Sequence, residues 1–231
     1  LIEKLRGSHT RRIVSAEGET YVAGIDIAGQ VSDAGLGLAA RMLNRQDETV
    51  ITIATVHFES QPEQSRLPSI KIVEHYRWRG LSHAEQYDRI EKLLTEIWNV
   101  ARVSVDATGV GAGVTSFLLR AMPSRLDPVV FTVKSKSDLG FALLAAAETG
   151  RLSMYQTDGG ENSTEFWKQL RLTQYRLRGS EEMDFSVPAS DGHDDFVMSL
   201  ALAVRAAEAL SSPAVGGLVR ARPEPDDMAE W

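Results

Sequence analysis

The chain has no cysteine among its 231 residues, which excludes disulfides, zinc–thiolate sites and thiol catalysis. It also lacks a long hydrophobic run, because charged residues interrupt every apolar stretch well short of the roughly 20 residues that a membrane helix needs. The first twelve residues have no apolar core of a signal peptide. No Gly-x-x-x-x-Gly-Lys-Ser/Thr loop occurs, so we expect no P-loop ATPase site. Together these absences favour a reducing, intracellular setting with no membrane contact.

The composition is that of an ordinary globular domain. Hydrophobic residues make up 43% and charged residues 25% of the chain, enough apolar content for a sizeable core. The formal net charge of −7 does not argue against a nucleic-acid partner, because such binding needs a local basic patch and not a positive total. Charge therefore leaves the class of partner open.

Hydrophobic periodicity predicts an alternation of strands and helices. We expect strands at 21–28, 49–58, 69–78, 102–107, 128–133, 152–155 and 183–187. We expect helices at 82–98, 109–122, 137–149, 163–176 and 196–210. A meander followed by alternating helices and strands predicts an α/β fold with a mixed sheet, antiparallel and then parallel, flanked by helices. We expect one domain over 21–210, a linker remnant at 1–20, an insertion at 29–48 and a disordered tail at 211–231.

Four aspartates stand at the ends of these elements. Asp26 and Asp106 close two β-branched runs, and Asp194 and Asp195 open the last helical pattern. Carboxylates that converge at one sheet edge repel one another unless a divalent cation neutralises them. We therefore predict that all four are catalytic metal ligands for Mg²⁺ or Mn²⁺, with Asp26 bridging two ions. The alternative is ordinary turn and cap chemistry, and we expect one of the last pair to cap the helix while Asp194 is the principal ligand.

Basic residues offer two candidate DNA contacts. Lys134 and Lys136 follow the fifth predicted strand, on the side of the aspartates. The acid-free segment 166–178 places Lys168, Arg171 and Arg178, with a tyrosine, at helical spacing on one predicted face. Such a face suits backbone phosphates, although a solvated surface explains it equally well.

These segments resemble the C-terminal nuclease domain of large terminase subunits, the DNA-packaging enzymes of tailed bacteriophages and prophages. The resemblance lies in Gly24-Ile-Asp-Ile-Ala-Gly29, Val103-Ser-Val-Asp-Ala-Thr-Gly109, Ser137-Asp-Leu-Gly-Phe141 and Gly192-His-Asp-Asp-Phe196. It extends over about 21–209 and implies an RNase H-like fold. The insertion at 29–48 departs from a minimal sheet of that type.

The resemblance implies a metal-dependent endonuclease that cuts double-stranded, concatemeric phage DNA for genome packaging by two-metal-ion phosphodiester hydrolysis. It implies Mg²⁺ or Mn²⁺ as cofactor, with two ions during catalysis. Expected partners are double-stranded DNA, the ATPase motor domain of the same full-length protein, the portal and the small terminase subunit, in the cytoplasm of an infected or lysogenic bacterial host. Three alternatives stay open: an actin-like or sugar-kinase-like ATP-binding domain, a non-catalytic docking module, and another RNase H-like nuclease such as a Holliday junction resolvase.

Overall fold

A computed structural model describes residues 2–28, 48–58, 67–109, 111–179 and 182–210. Its main sheet has six strands in the order β5-β4-β1-β2-β3-β6, and a separate two-stranded hairpin is made by β7 and β8. The strands are β1 (Thr20–Asp26), β2 (Thr49–His57), β3 (Ser69–Trp78), β4 (Arg102–Asp106), β5 (Leu126–Val129), β6 (Leu152–Met154), β7 (Gln174–Arg178) and β8 (Glu182–Ser186). The α-helices are α1 (His83–Lys92), α2 (Gly111–Ala121), α3 (Val133–Glu148), α4 (Glu161–Leu172) and α5 (Asp195–Ala209).

The sheet is mixed, as the sequence predicts. Strands β1, β2 and β3 form an antiparallel meander, β4 runs parallel to β1, β5 parallel to β4, and β6 parallel to β3. Five of the six strands therefore end at the same edge of the sheet. Loops and helix starts that follow those strands meet there, which is where ligands bind in open sheets of this kind.

Helices cover both faces of the sheet, because the central strands are apolar on both sides. On β1, Val22 packs in a cluster with α4 and α5, whereas Ile25 packs in a second cluster with α1 and α2. Both side chains are fully buried. A strand buried on both faces reads as a near-continuous hydrophobic run, which is what residues 21–25 show.

Gly24 sets how closely α5 approaches the sheet. A Cβ built on Gly24 would lie 2.1 Å from the backbone nitrogen of Ala203 and 2.1 Å from the backbone oxygen of Ser199. Only glycine permits this backbone-to-backbone contact. The close approach brings the start of α5 beside the end of β1.

Two predicted boundaries differ from the structure near the fifth strand. The predicted strand at 128–133 is shifted, since β5 ends at Val129, and α3 begins at Val133, four residues before the predicted start. Thr132 caps α3 through a capping box with Ser135, and this local chemistry extends the helix backwards. Lys134 and Lys136 therefore stand in the first turn of α3.

The predicted helix over 163–176 is also wrong at its end. The helix α4 stops at Leu172, Thr173 adopts an extended conformation, and Gln174–Arg178 forms β7, paired antiparallel with β8. A strand alternates its side chains every two residues, so the helical spacing that joined Lys168 to Arg178 does not exist. The predicted basic helix face is thereby divided between a helix and a hairpin.

Several expectations concern the chain ends and connections. Ser82 and Glu85 form a capping box at the start of α1, the helix predicted to begin at residue 82. Residues 2–19 run beside the sheet, where Arg6 bridges Met154 on β6 and Leu5 is buried. Of the predicted insertion only Glu48 is described, and the predicted tail at 211–231 lies outside the described residues. Within the described ranges, none of the helices combines the length and apolar character needed to cross a membrane.

Candidate active site

Three elements bring the four aspartates to one edge of the sheet. Asp26 is the last residue of β1 and Asp106 the last of β4. Because these strands are parallel neighbours, their carboxyl ends lie side by side. Asp194 stands at the N-cap of α5 and Asp195 is its first helical residue. The geometry therefore gathers the four residues that the sequence singles out.

The electrostatics of Asp26 show that the four carboxylates interact. Burial raises the pKa of Asp26 well above its usual range, and the charges of Asp195, Asp106 and Asp194 each raise it further. The ammonium group of Lys136 acts in the opposite direction. Burial disfavours the charged form and neighbouring like charges add to that cost. Asp26 is therefore the focus of the cluster.

Asp106 is held by the turn that follows β4. The backbone N–H of Thr108 donates to the Asp106 Oδ1 at 2.8 Å, which lowers the pKa of a carboxyl group that burial raises. The Thr108 hydroxyl accepts the backbone N–H of Phe131 at 2.8 Å and so ties this turn to the start of α3. Gly109 has a φ of +56°, and a Cβ on Gly111 would come within 3.0 Å of the Asp106 carbonyl oxygen. Gly111 thus permits tight packing where strand meets helix, and Gly109 supplies a left-handed backbone conformation in the turn.

Asp194 does not use its side chain as a helix cap. It occupies the N-cap position with φ −119° and ψ 13°, and no capping hydrogen bond comes from its carboxylate. Burial raises the pKa of Asp194, while the charge of Lys136 lowers it. Asp194, the expected ligand of the pair, is therefore not a residue that caps α5 with its side chain.

The carboxylates are close enough to interact, but they do not form a ready-made cage. In the part of the chain that the structure describes, no three or more His, Asp or Glu side chains form a group that could hold a metal ion. The donor set nevertheless fits a hard divalent cation, because it consists of carboxylate oxygens whose mutual repulsion a cation would relieve. A shared ion would require these side chains to turn towards a common point.

Of the predicted DNA contacts, Lys136 alone belongs to this cluster by its electrostatic effects. It lowers the pKa of Asp26, Asp106 and Asp194, and its Nζ lies 5.1 Å from the Phe131 ring centre. Lys134, two residues earlier, points into solvent and pairs with Asp138 at 3.1 Å. The structure thus separates two lysines that the sequence predicts as one pair.

The other predicted DNA contacts sit on separate elements, two of them beside acids. Lys168 pairs with Glu165 at 3.3 Å within α4, and Arg178 pairs with Asp184 at 2.7 Å across the β7–β8 hairpin. Arg171 lies exposed in the last turn of α4. The positive charge of segment 166–178 is therefore partly neutralised by acidic residues outside the segment. A DNA-binding role for these three residues stays a prediction.

A family model for the terminase RNaseH-like domain matches residues 24–207. The chain belongs to this family. The match begins within β1, ends within α5 and includes all four aspartates. The sequence resemblance to large terminase nucleases is confirmed.

Solved terminase structures share the fold of this domain. The large terminase nuclease of thermophilic phage G20c with bound magnesium superposes with a TM-score of 0.62 at 21% identity, covering 88% of this chain and 94% of that one. The nuclease domain of Thermus phage P74-26 gives a TM-score of 0.58 at 21% identity, over 87% and 90% of the two chains. The large terminase of bacteriophage HK97 gives 0.56 at 9% identity, over 88% and 42%. The predicted RNase H-like fold is confirmed.

A curated relative matches over a shorter region. The terminase ATPase subunit of Escherichia phage P2 is 39% identical over 57 residues, which is 25% of this chain and 10% of that protein. The matched region thus spans about a tenth of the relative's length. This similarity supports membership of the terminase family. It does not carry the activities of the whole relative over to this domain.

One residue beside the site escapes prediction from sequence. Gln169 is buried in α4, and its Oε1 accepts the backbone N–H of Phe196, in the first turn of α5, at 2.9 Å. The sequence gives one signal for a buried position at Gln169, which is that this polar residue lies beside the apolar Leu170 and near the apolar Phe166. Its partner lies 27 residues away, so local pattern does not reveal the contact.

Proposed function

We propose that this terminase domain is a metal-dependent endonuclease that hydrolyses double-stranded phage DNA during genome packaging. The observation that carries the proposal is the convergence of four aspartates, three of which raise the pKa of the fourth, Asp26. Buried repelling carboxylates are costly to fold, and such a cost persists at sites where a cation is part of the function. Membership of the terminase RNaseH-like family supports the same conclusion.

The aspartates would hold Mg²⁺ or Mn²⁺, with two ions present during catalysis. Related G20c nuclease structures contain bound magnesium, cobalt or zinc, which supports a divalent ion here. Such ions supply an activated water and neutralise charge on the leaving oxygen of a phosphodiester. Asp26, central in the cluster, would serve both ions. Asp106 and the pair Asp194 and Asp195 would hold them from either side.

The remaining residues of the site would orient these carboxylates and the substrate. Thr108 fixes Asp106 through the hydrogen bond from its backbone N–H. Lys136, whose charge already acts on three of the aspartates, would face the scissile phosphate. Lys134, Lys168, Arg171 and Arg178 would contact backbone phosphates away from the cut, which positions a duplex without reading its sequence.

The partners follow from the packaging role. In the full-length protein this domain would work with an ATPase motor, and with the portal and the small terminase subunit, inside the cytoplasm of an infected or lysogenic bacterium. The P2 relative is an ATPase subunit, which supports a motor partner. Family membership favours this function over an actin-like ATP-binding domain or a junction resolvase.

Plasmid cleavage tests the proposal. Supercoiled DNA incubated with the domain should be nicked or degraded in Mg²⁺ or Mn²⁺ and stay intact in chelator. Asp106→Asn should be inactive, because an amide keeps the shape of the side chain but removes a charge that the ions need. Asp88→Asn changes an exposed carboxylate on α1 and serves as the matched control. Equal cleavage by Asp106→Asn and the control would reject the proposed site.

A further inference from the structure

The start of α5 is capped by another helix. The N-cap residue of a helix usually accepts the N–H of the second or third helical residue through its side chain. At α5 the N–H of the second helical residue, Phe196, goes to the Gln169 Oε1 on α4 instead. The Gln169 Nε2 donates to Glu165 at 3.3 Å, which fixes the direction of the amide group. Gln169 and Phe196 are both buried, so water does not replace this bond.

This external cap changes what Asp194 can do. A capping aspartate adopts an extended backbone, whereas Asp194 has a ψ of 13°. Its carboxylate instead lies within electrostatic reach of Asp26, whose pKa it raises. The backbone N–H of Met198 still bonds to the Asp194 carbonyl at 2.8 Å, so the helix begins at Asp195 without any side-chain cap from Asp194.

We propose that Gln169 is a positioning residue: by capping α5 from α4, it leaves the carboxylate of Asp194 available for the metal site. The proposal has two parts. The first, that Gln169 caps α5 (the capping arm), rests on the hydrogen bonds alone. The second, that this cap leaves Asp194 available to a metal ion (the metal arm), rests also on the proposed function. Without the Gln169 oxygen, the buried Phe196 N–H needs another acceptor, and Asp194 occupies the N-cap position, whose side chain ordinarily accepts that N–H. An Asp194 that turns to cap the helix is lost to the metal.

Gln169→Met tests both arms, because methionine keeps the length of the side chain but offers no amide oxygen. Titration of the full chain with MnCl₂ should show affinity weakened by roughly 10- to 100-fold, the loss usual when a residue that orients a metal ligand is removed. The control is Thr52→Val, which removes the buried 2.8 Å hydrogen bond between Thr52 and Ser199 in the middle of α5. The control should destabilise α5 without changing Mn²⁺ affinity.

Amide hydrogen exchange in chelator supplies a readout that needs no metal. The Phe196 amide should exchange at least tenfold faster in Gln169→Met than in the unmodified chain, and should keep its protection in Thr52→Val. Unchanged protection of Phe196 in Gln169→Met would overturn the capping arm. Equal Mn²⁺ affinity in Gln169→Met and the unmodified chain, or equal losses in both variants, would overturn the positioning role.

The two possible failures are distinguishable. If the unmodified chain binds no Mn²⁺, the proposed function fails and the metal arm is rejected with it. The exchange experiment would still decide whether Gln169 caps α5. If the chain binds Mn²⁺ and cuts DNA but Gln169→Met behaves like the unmodified protein, the inference alone fails.

Discussion

Ile25 on β1 pairs with Val105 on β4 in a parallel register, so Asp26 and Asp106 leave the sheet side by side. The adjacent positions of Asp26 and Asp106 follow from two short apolar strands that pair in parallel. The start of α5 is brought to the same point by the close contact of the helix with Gly24. The site thus depends on the packing of one helix as much as on the strands.

Gly24→Ala should prevent that packing. The new Cβ would meet backbone atoms of Ala203 and Ser199, which cannot move aside as a flexible side chain could. We expect a loss of at least about 3 kcal/mol in the free energy of unfolding, measured by chemical denaturation. Gly113→Ala is the matched control, since its Cβ meets only His83 at 3.5 Å on an exposed helix position. It should gain about 0.5–1 kcal/mol. A neutral Gly24→Ala would contradict the close approach.

The buried His75 should make the domain sensitive to acid. Burial lowers the pKa of His75 to about 3, and its ring nitrogens have no hydrogen-bond partner among the described residues. The unfolded chain takes up the proton below a pKa of about 6.5, whereas the folded chain does not. Stability therefore falls as pH drops from about 6.5 towards 3, by on the order of 2–3 kcal/mol at pH 4.5.

His75→Phe should remove this part of the acid sensitivity. The ring already packs against Phe166 and Phe196, so an aromatic replacement suits its surroundings. Melting temperatures of both proteins between pH 4.5 and 7.5 provide the measurement. The difference in melting temperature should grow in favour of His75→Phe as the pH falls. Parallel pH profiles would show that His75 is not held neutral.

Lys136 and Lys134 should differ in their effect on cleavage. Lys136 acts on three aspartates, whereas Lys134 is exposed and paired with Asp138. Lys136→Met should slow DNA cleavage at saturating metal by roughly 100-fold, the usual cost of losing one preorganised charge-stabilising group. Lys134→Met should lose less than about threefold, since exposed charges contribute little. Equal losses in the two variants would remove Lys136 from the proposed site.

Charge reversal on α4 tests its predicted DNA contacts. Lys168→Glu with Arg171→Glu should weaken binding to a DNA duplex at low salt. Each lost phosphate contact should also reduce the slope of log affinity against log salt by about 1. Fluorescence anisotropy at several salt concentrations measures both quantities. Unchanged affinity and slope would show that this face of α4 is a solvated surface that does not contact DNA.

The sequence predicts the sheet well because the residues within each strand already favour the extended conformation. Runs rich in β-branched residues, such as 49–58, have no plausible helical alternative. The hairpin is different: Gln174-Tyr-Arg-Leu-Arg178 is exposed throughout and mixes residues that suit either state. It becomes a strand by pairing with β8, a contact that local propensity does not contain. For this reason the sequence pattern predicts α4 to extend beyond its true end at Leu172.

The site likewise contains residues that local sequence predicts and residues whose role depends on tertiary packing. Asp26 and Asp106 are predictable because an aspartate that ends a parallel strand must lie at the edge where its neighbours end. The role of Gln169 is not, because it depends on how α4 crosses α5. Asp194 stands at the cap position without capping through its side chain, because an acceptor from another helix takes the bond that a local cap would make.

The most direct test of the account is the cleavage rate of Asp26→Asn in Mg²⁺ or Mn²⁺, measured beside Asp88→Asn. Asp26→Asn should be inactive on plasmid DNA, while its melting temperature in chelator should be equal to or above that of the unmodified domain, since one repelling carboxylate has gone. Asp88→Asn should cut at the normal rate. An Asp26→Asn protein that cleaves as fast as Asp88→Asn would contradict the nuclease assignment of this site.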